Sequence, residues 1–341
     1  MHRFVPARAF FEPAALDYPL GRKLYDRLRA MKVPVELTAS HNRVLGLPGK
    51  TAGEAYREAK RTLVVGVRKS ADFATCKPSA NFQLPLATSC PGMCEYCYLA
   101  TTLGRRPYLR VYVNIDEILA RAMAYLEDRA PAITVFEGAA TSDPLPTEYL
   151  TKLLHTVIEF FGRQPLGRFR FVTKHDDVEP LLDAAHNGHT RFRFSLNAGT
   201  VISRYEHHTP GLDERVAAAA KVAEAGYPLG FIVAPIFVFP AWRDEYGDLF
   251  RRLKAALPAA AADDLTFEFI THRFTKRAKA NIAAIFPATS LPLAEEERKM
   301  KFGQFGYSKY LYDDETLRAA REFMAAQVAK HFPAAKVEYF V

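Results

Sequence analysis

Three of the chain's four cysteines fall within eight positions, Cys90, Cys94 and Cys97 in the segment SCPGMCEYCYL. Three thiolates can hold three irons of a four-iron cluster, which leaves the fourth iron without a protein ligand and open to a chelating cofactor. Zinc is the competing occupant, with Cys76 or a histidine as its fourth ligand, but zinc sites usually pair their cysteines as two separate Cys-x2-Cys knuckles. A spacing of three then two, with Tyr96 beside the last cysteine, favours iron and sulfur. Cysteines crowded in this way read as a metal site rather than a disulfide framework.

A cluster loop needs a frame that aims it. From residue 82 onward, short β-rich runs alternate with amphipathic helices, the pattern of a parallel sheet with helical crossovers. Six strands are expected, over 82–87, 133–137, 169–173, 192–197, 231–236 and 265–270. Right-handed connections would curl them into an open barrel. The cysteines follow the first strand directly, and a loop at the C-terminal end of a barrel strand points into the mouth where such folds place chemistry. Polar residues recur at the other strand ends: Glu137, Ser142 and Asp143, then Lys174, then Ser195 and Asn197, then His272 and Arg273. Each alone reads equally well as a cap or turn residue. Their recurrence is what suggests one cavity.

Tyr149, Leu150, Leu153, Leu154, Val157 and Ile158 recur at helical spacing and predict a helix packed on the sheet. Crossover helices are expected over 213–225, 243–256 and 276–285. Residues 1–80 form an N-terminal α/β cap, with a helix over 22–31 and a buried strand over 62–67. Residues 81–286 form the barrel. Residues 287–341 form a C-terminal extension: the basic aromatic stretch RKMKFGQFGYSKYLY, a helix over 314–331 and a strand over 336–340. The expected fold is α/β, a partial, open six-stranded β/α barrel with cap and extension.

The composition, 49% hydrophobic and 25% charged, is that of a globular protein with a large core. An excess of 46 Lys and Arg over 38 Asp and Glu favours a polyanionic partner without demanding one. The first residues lack the apolar run of a signal peptide, and no stretch approaches the roughly 18 apolar residues of a membrane span. A cytoplasmic protein without a membrane partner is expected.

The cysteine motif resembles the Cys-x3-Cys-x-aromatic-Cys signature of the radical S-adenosylmethionine superfamily, with Tyr96 in the aromatic place. Longer stretches narrow the resemblance to the spore photoproduct lyase family, over nearly the whole chain: KPSANFQLPLATSCPGMCEYCYLATTLG, RVYVN, RFRFVTKHD, HNGHTRFRFSLN, LGFIVAPI, HRFTK and VEYF. The resemblance implies that Cys90, Cys94 and Cys97 bind a 4Fe-4S cluster fed by an external one-electron reductant. It assigns S-adenosylmethionine to Ser142, Lys174, Ser195, Asn197 and the backbone around Ala234. Tyr96 and Tyr98 match the two tyrosines of the family's hydrogen-transfer relay. The implied reaction splits a methylene-bridged thymine dimer in DNA: an adenosyl radical takes a hydrogen from the lesion, the bridge breaks, and a cysteine returns a hydrogen to the product radical. The lesion must leave the base stack to be reached.

The sequence departs from the family pattern twice. In FEGAATSD the place of the donor cysteine is held by Ala140, whose methyl group cannot quench an allylic radical. Of the residues that could replace it, Tyr98 is favoured over Cys76 because the cluster loop should carry it into the cavity. In GQFG, Gln304 and Phe305 stand where the family carries an Arg-Tyr pair near the lesion. Arg273, Lys276, Gln304 and Phe305 are the expected DNA contacts, with Phe305 able to stack on bases. The expected function is a monomeric DNA repair lyase. Two alternatives stay open: a radical enzyme for another pyrimidine lesion or nucleotide, and a catalytically silent DNA-damage binder.

Overall fold

The computed structural model describes residues 3–70, 72–104, 106–302 and 308–341, without the side chains at 262 and 263. The chain divides into two compact units, Met1–Pro91 with Leu103–Phe192, and Gly92–Thr102 with Arg193–Val341.

The first unit holds a five-stranded sheet built on Thr62–Gly66, which is buried along its whole length. This strand pairs in parallel with Arg8–Phe11 on one side and Leu109–Tyr112 on the other. Val35–Leu37 and Ala87–Thr88 are the edges. The helix expected over 22–31 is Pro19–Ala30, and it buries Leu24 and Leu28 against this sheet's apolar core.

The strand expected over 82–87 is two strands in two sheets. Ala80–Gln83 pairs in parallel with Thr134–Glu137, whereas Ala87–Thr88 pairs antiparallel with Leu109–Tyr112. Pro85 lies between them and has no N–H to give to a ladder, so the apolar run changes sheets there. Gly167–Thr173 continues the second sheet beside Thr134–Glu137, and Thr75–Cys76 folds back antiparallel on Ala80–Gln83. Gly138, at the end of Thr134–Glu137, has no room for a side chain: a Cβ there would lie 2.6 Å from the Phe169 ring.

The single helix expected from the 149–158 periodicity is also divided, into Glu148–Thr151 and Leu153–Gly162, with Lys152 left-handed between them at φ 55°. The Glu148 carboxylate folds across the break and accepts from the backbone N–H groups of Leu154 (2.8 Å) and His155 (3.0 Å). A side chain of the first helix therefore caps the open amides of the second. Burial pushes the Glu148 carboxyl up to about 7, against the lowering effect of those two donors.

Thr190–Leu196 is the strand in which the division between units falls. In the second unit, Leu229–Ile236 pairs in parallel with Leu265–Thr271. The final strand, Lys336–Phe340, adds to the other edge of Leu265–Thr271. The barrel strands thus begin within two residues of their expected starts. Helices Leu212–Glu224, Trp242–Ala256 and Lys276–Ile285 supply the crossovers, and Asp314–His331 is the closing helix. Trp242, the chain's one tryptophan, is 5% exposed and meets Phe323 edge-on at 4.9 Å, joining the helices Trp242–Ala256 and Asp314–His331. Among the described residues, no helix is long and apolar enough to cross a membrane.

Candidate active site

In the first unit the site is built around the residue before Cys90. Ser89 is left-handed, with φ 65°, a conformation a serine adopts only when its surroundings over-determine it. Its N–H donates to Thr141 O at 2.7 Å, its carbonyl accepts from Asp143 N at 3.2 Å, and its hydroxyl donates to Pro107 O at 2.7 Å. Ser89 is thereby stitched to the loop that carries Ala140, Ser142 and Asp143.

The Asp143 carboxylate accepts from Thr173 Oγ1 and from the Lys174 backbone N–H, both at 2.9 Å. These contacts tie the same loop to the end of Gly167–Thr173, where Lys174 stands. Desolvation outweighs the donors and pushes the Asp143 carboxyl up to about 6. Through Ser89 and Asp143, the first unit brings together Cys90, Ala140, Ser142 and Lys174.

Ala140 borders a cavity of about 70 Å³ shared with Gln83, Thr88, Glu137 and Thr141. The buried Glu137 carboxylate accepts from Ser79 Oγ at 3.0 Å and from Ala139 N at 3.1 Å. One carboxylate thus fastens the segment after Cys76 to the segment that carries Ala140.

In the second unit, Met93–Cys94 pairs antiparallel with Glu206–His207, and Cys97 N–H donates to Cys94 O at 3.1 Å. The Tyr96 hydroxyl donates to the Glu206 carboxylate. Glu206 is paired with Arg215 at 2.6 Å, and neither side chain reaches solvent. Arg215 also donates to Ser195 O (3.0 Å) and Pro210 O (2.9 Å), so one guanidinium joins the cluster loop's support to the strand that carries Ser195. Burial and the Glu206 charge raise the Tyr96 phenol well above its ordinary value. Glu95, beside Cys94, is held by His207 at 2.7 Å and by the Thr289 hydroxyl.

Asn197 is fully buried. Its amide donates to Pro235 O at 2.8 Å, and its oxygen accepts from the Tyr246 hydroxyl at 2.7 Å. Its side chain therefore holds the backbone next to Ala234. A cleft of about 770 Å³ brings Tyr96, Cys97 and Tyr98 together with Arg273, Lys276 and Lys309. Tyr98 is 57% exposed there. His272, on the same cleft, stacks on Phe237 at 4.4 Å, and burial, with Arg298 beside it, pushes it down to about 3, so it is neutral at physiological pH. Lys299–Phe302 and Ser308–Leu311 form an antiparallel hairpin with Met300 and Phe302 exposed. Gln304 and Phe305 lie outside the described residues. Glu206 and Arg215 have no spacing signature in the sequence, because a buried ion pair is marked only by the fold that brings its members together.

A Cys-x3-Cys-x2-Cys loop in a chain whose strands form an open α/β barrel defines the radical S-adenosylmethionine class. Within that class, the spore photoproduct lyase family model matches residues 4–341. Spore photoproduct lyases of Geobacillus sp. (strain Y412MC61) and Bacillus subtilis (strain 168) are 51% and 50% identical, covering 100% and 99% of this chain and 100% and 98% of their own lengths. The solved structure of a spore photoproduct lyase double variant, with bound AdoMet and dinucleoside spore photoproduct, matches with a TM-score of 0.96 at 51% identity over 99% of each chain. The chain belongs to the spore photoproduct lyase family.

Proposed function

We propose that this protein is a carbon–carbon lyase that reverses the spore photoproduct in DNA. The observation that carries the reading is the three-cysteine loop within a chain that matches the family from residue 4 to residue 341. The donor set fits a four-iron cluster: three thiols, with Cys94 buried and Cys90 and Cys97 half-buried. Cys90, Cys94 and Cys97 would hold it. Ser142, Lys174, Ser195 and the Ala234 backbone would hold S-adenosylmethionine, with Asn197 fixing that backbone through Pro235. Cluster and cofactor together supply a one-electron source and a strong hydrogen-abstracting radical. Arg273, Lys276 and Lys309 line a cleft suited to DNA phosphates.

The hydrogen donor that replaces the missing cysteine is, in this reading, Cys76. The double variant matched above exchanges a cysteine for alanine and a serine for cysteine at positions numbered as Ala140 and Cys76 here, and so carries the same two residue types as this chain. The Glu137 carboxylate that fastens the two segments supports a shared role. Cys76 would pass the hydrogen atom of its thiol to the substrate radical, leaving a sulfur radical that would take a hydrogen atom from Tyr98, which Tyr96 would refill; an electron from the external reductant and a proton would then restore Tyr96. Tyr98, favoured as donor by sequence, then serves as relay.

The test is anaerobic turnover of dinucleoside spore photoproduct, following thymine product and 5′-deoxyadenosine together. Both are expected from the unaltered chain. In Cys76→Ala, deoxyadenosine should persist while repair falls and by-products rise. Deoxyadenosine without any reversal by the unaltered chain would favour another substrate, and neither product would favour a silent binder.

A further inference from the structure

Lys60 closes the helix Ala52–Lys60 and is 1% exposed. A buried ammonium ordinarily sits against a carboxylate, because an isolated charge in the interior is costly. Here its described partners are neutral: Cys90 O at 3.0 Å, Ser89 Oγ at 3.3 Å, and the Tyr56 ring, whose centroid lies 5.2 Å from Nζ. Among the described residues, no carboxylate pairs with it. The cation therefore points at the first cluster ligand, bonded to that ligand's own carbonyl.

We infer that Lys60 is the built-in counter-charge of the iron–sulfur site and makes the cluster easier to reduce. This rests on the cluster reading above and deepens it. A four-iron cluster on three thiolates is an anion and gains a further negative charge on reduction. Its potential depends on net charge, hydrogen bonding and burial around the ligands. A fixed cation behind Cys90, in an interior that screens poorly, stabilises the reduced form more than the oxidised one. The strained Ser89 fits this role. A glycine would take φ 65° without cost, but only the serine hydroxyl joins Lys60 to Pro107 O.

The test compares the reconstituted unaltered protein with Lys60→Met, Lys60→Gln and Ser89→Gly, by iron content, midpoint potential and thermal melting of cluster-free protein. Lys60→Met and Lys60→Gln should load iron but show a reduction equilibrium about tenfold less favourable, about 59 mV more negative for one electron. Ser89→Gly, which keeps the cation and its bond to Cys90 O, should shift less. Without the cluster, Lys60→Met should melt higher than the unaltered chain, because an uncompensated buried charge has been removed. An unchanged potential in fully loaded Lys60 variants would overturn the inference, as would an equal shift in Ser89→Gly, which would make the pair a loop anchor. Should Lys60→Met fail to load, a melting temperature at or below that of the cluster-free unaltered chain overturns it and a higher one supports it. Failure of the unaltered protein to take up iron would count against the cluster reading itself.

Discussion

Cys76 and Cys94 are thiols with opposite expected behaviour. Cys94 is buried in a short strand paired to Glu206–His207, whereas Cys76 lies half-buried at the edge of a different sheet. Cys94→Ala should abolish the visible absorbance of the reconstituted protein, and Cys76→Ala should leave it intact. Equal loss in both would give Cys76 a ligand role and bring zinc-like four-thiol ligation back into consideration. Ala140 offers the complementary substitution. Ala140 borders a cavity of about 70 Å³, so an added sulfur atom has space nearby. Ala140→Cys should therefore fold normally and restore repair to a Cys76→Ala background. A double variant as poor in repair as Cys76→Ala alone would show that a thiol at this place cannot reach the product radical.

Secondary structure was legible wherever one periodicity ran uninterrupted. The helix Asp314–His331 and the strand Lys336–Phe340 stand where the pattern placed them: the helix buries the single stripe Ala320, Met324 and Val328, and the strand pairs in parallel with Leu265–Thr271. Legibility failed where a single side chain or ring redirects the backbone. Pro85 splits one apolar run between two sheets, and Glu148 makes two helices of one apolar periodicity. The cysteines and strand-end polar residues were legible as types at positions. Ser89 and Glu206 were not, because Thr141 and Tyr96, which tie them to the site, are distant in sequence, and Arg215 was not, because nothing in the spacing of Glu206 and Arg215 marks an ion pair.

The Glu148 cap has a measurable signature. Its folded pKa of about 7 lies above the ordinary 4.5, so between those values the native state binds more protons than the unfolded one. Stability should therefore fall as pH rises through that window. Denaturant unfolding at a series of pH values should show this slope flattened in Glu148→Gln. An unchanged slope would mean that other groups set it.

At the scale of the molecule, the DNA cleft proposed for the second unit makes a prediction about salt. If Arg273, Lys276 and Lys309 each engage a phosphate, a plot of log affinity against log salt should have a slope of about −2.7, and Arg273→Ala should lower its magnitude by about one. A salt-independent affinity would remove this surface from consideration. Lys276 already faces Glu295 at 3.7 Å, so part of its attraction is spent within the protein and its alanine variant should lose less than that of Arg273. The packing of Trp242 against Phe323 has a different consequence, an optical one. The chain's one indole belongs wholly to the second unit, and the first unit contains none. Tryptophan emission is therefore blind to half the molecule, and a fluorescence melt follows the second unit alone while calorimetry follows both. Coincident curves would mark a single cooperative transition, and separated ones would identify by colour which unit lets go first.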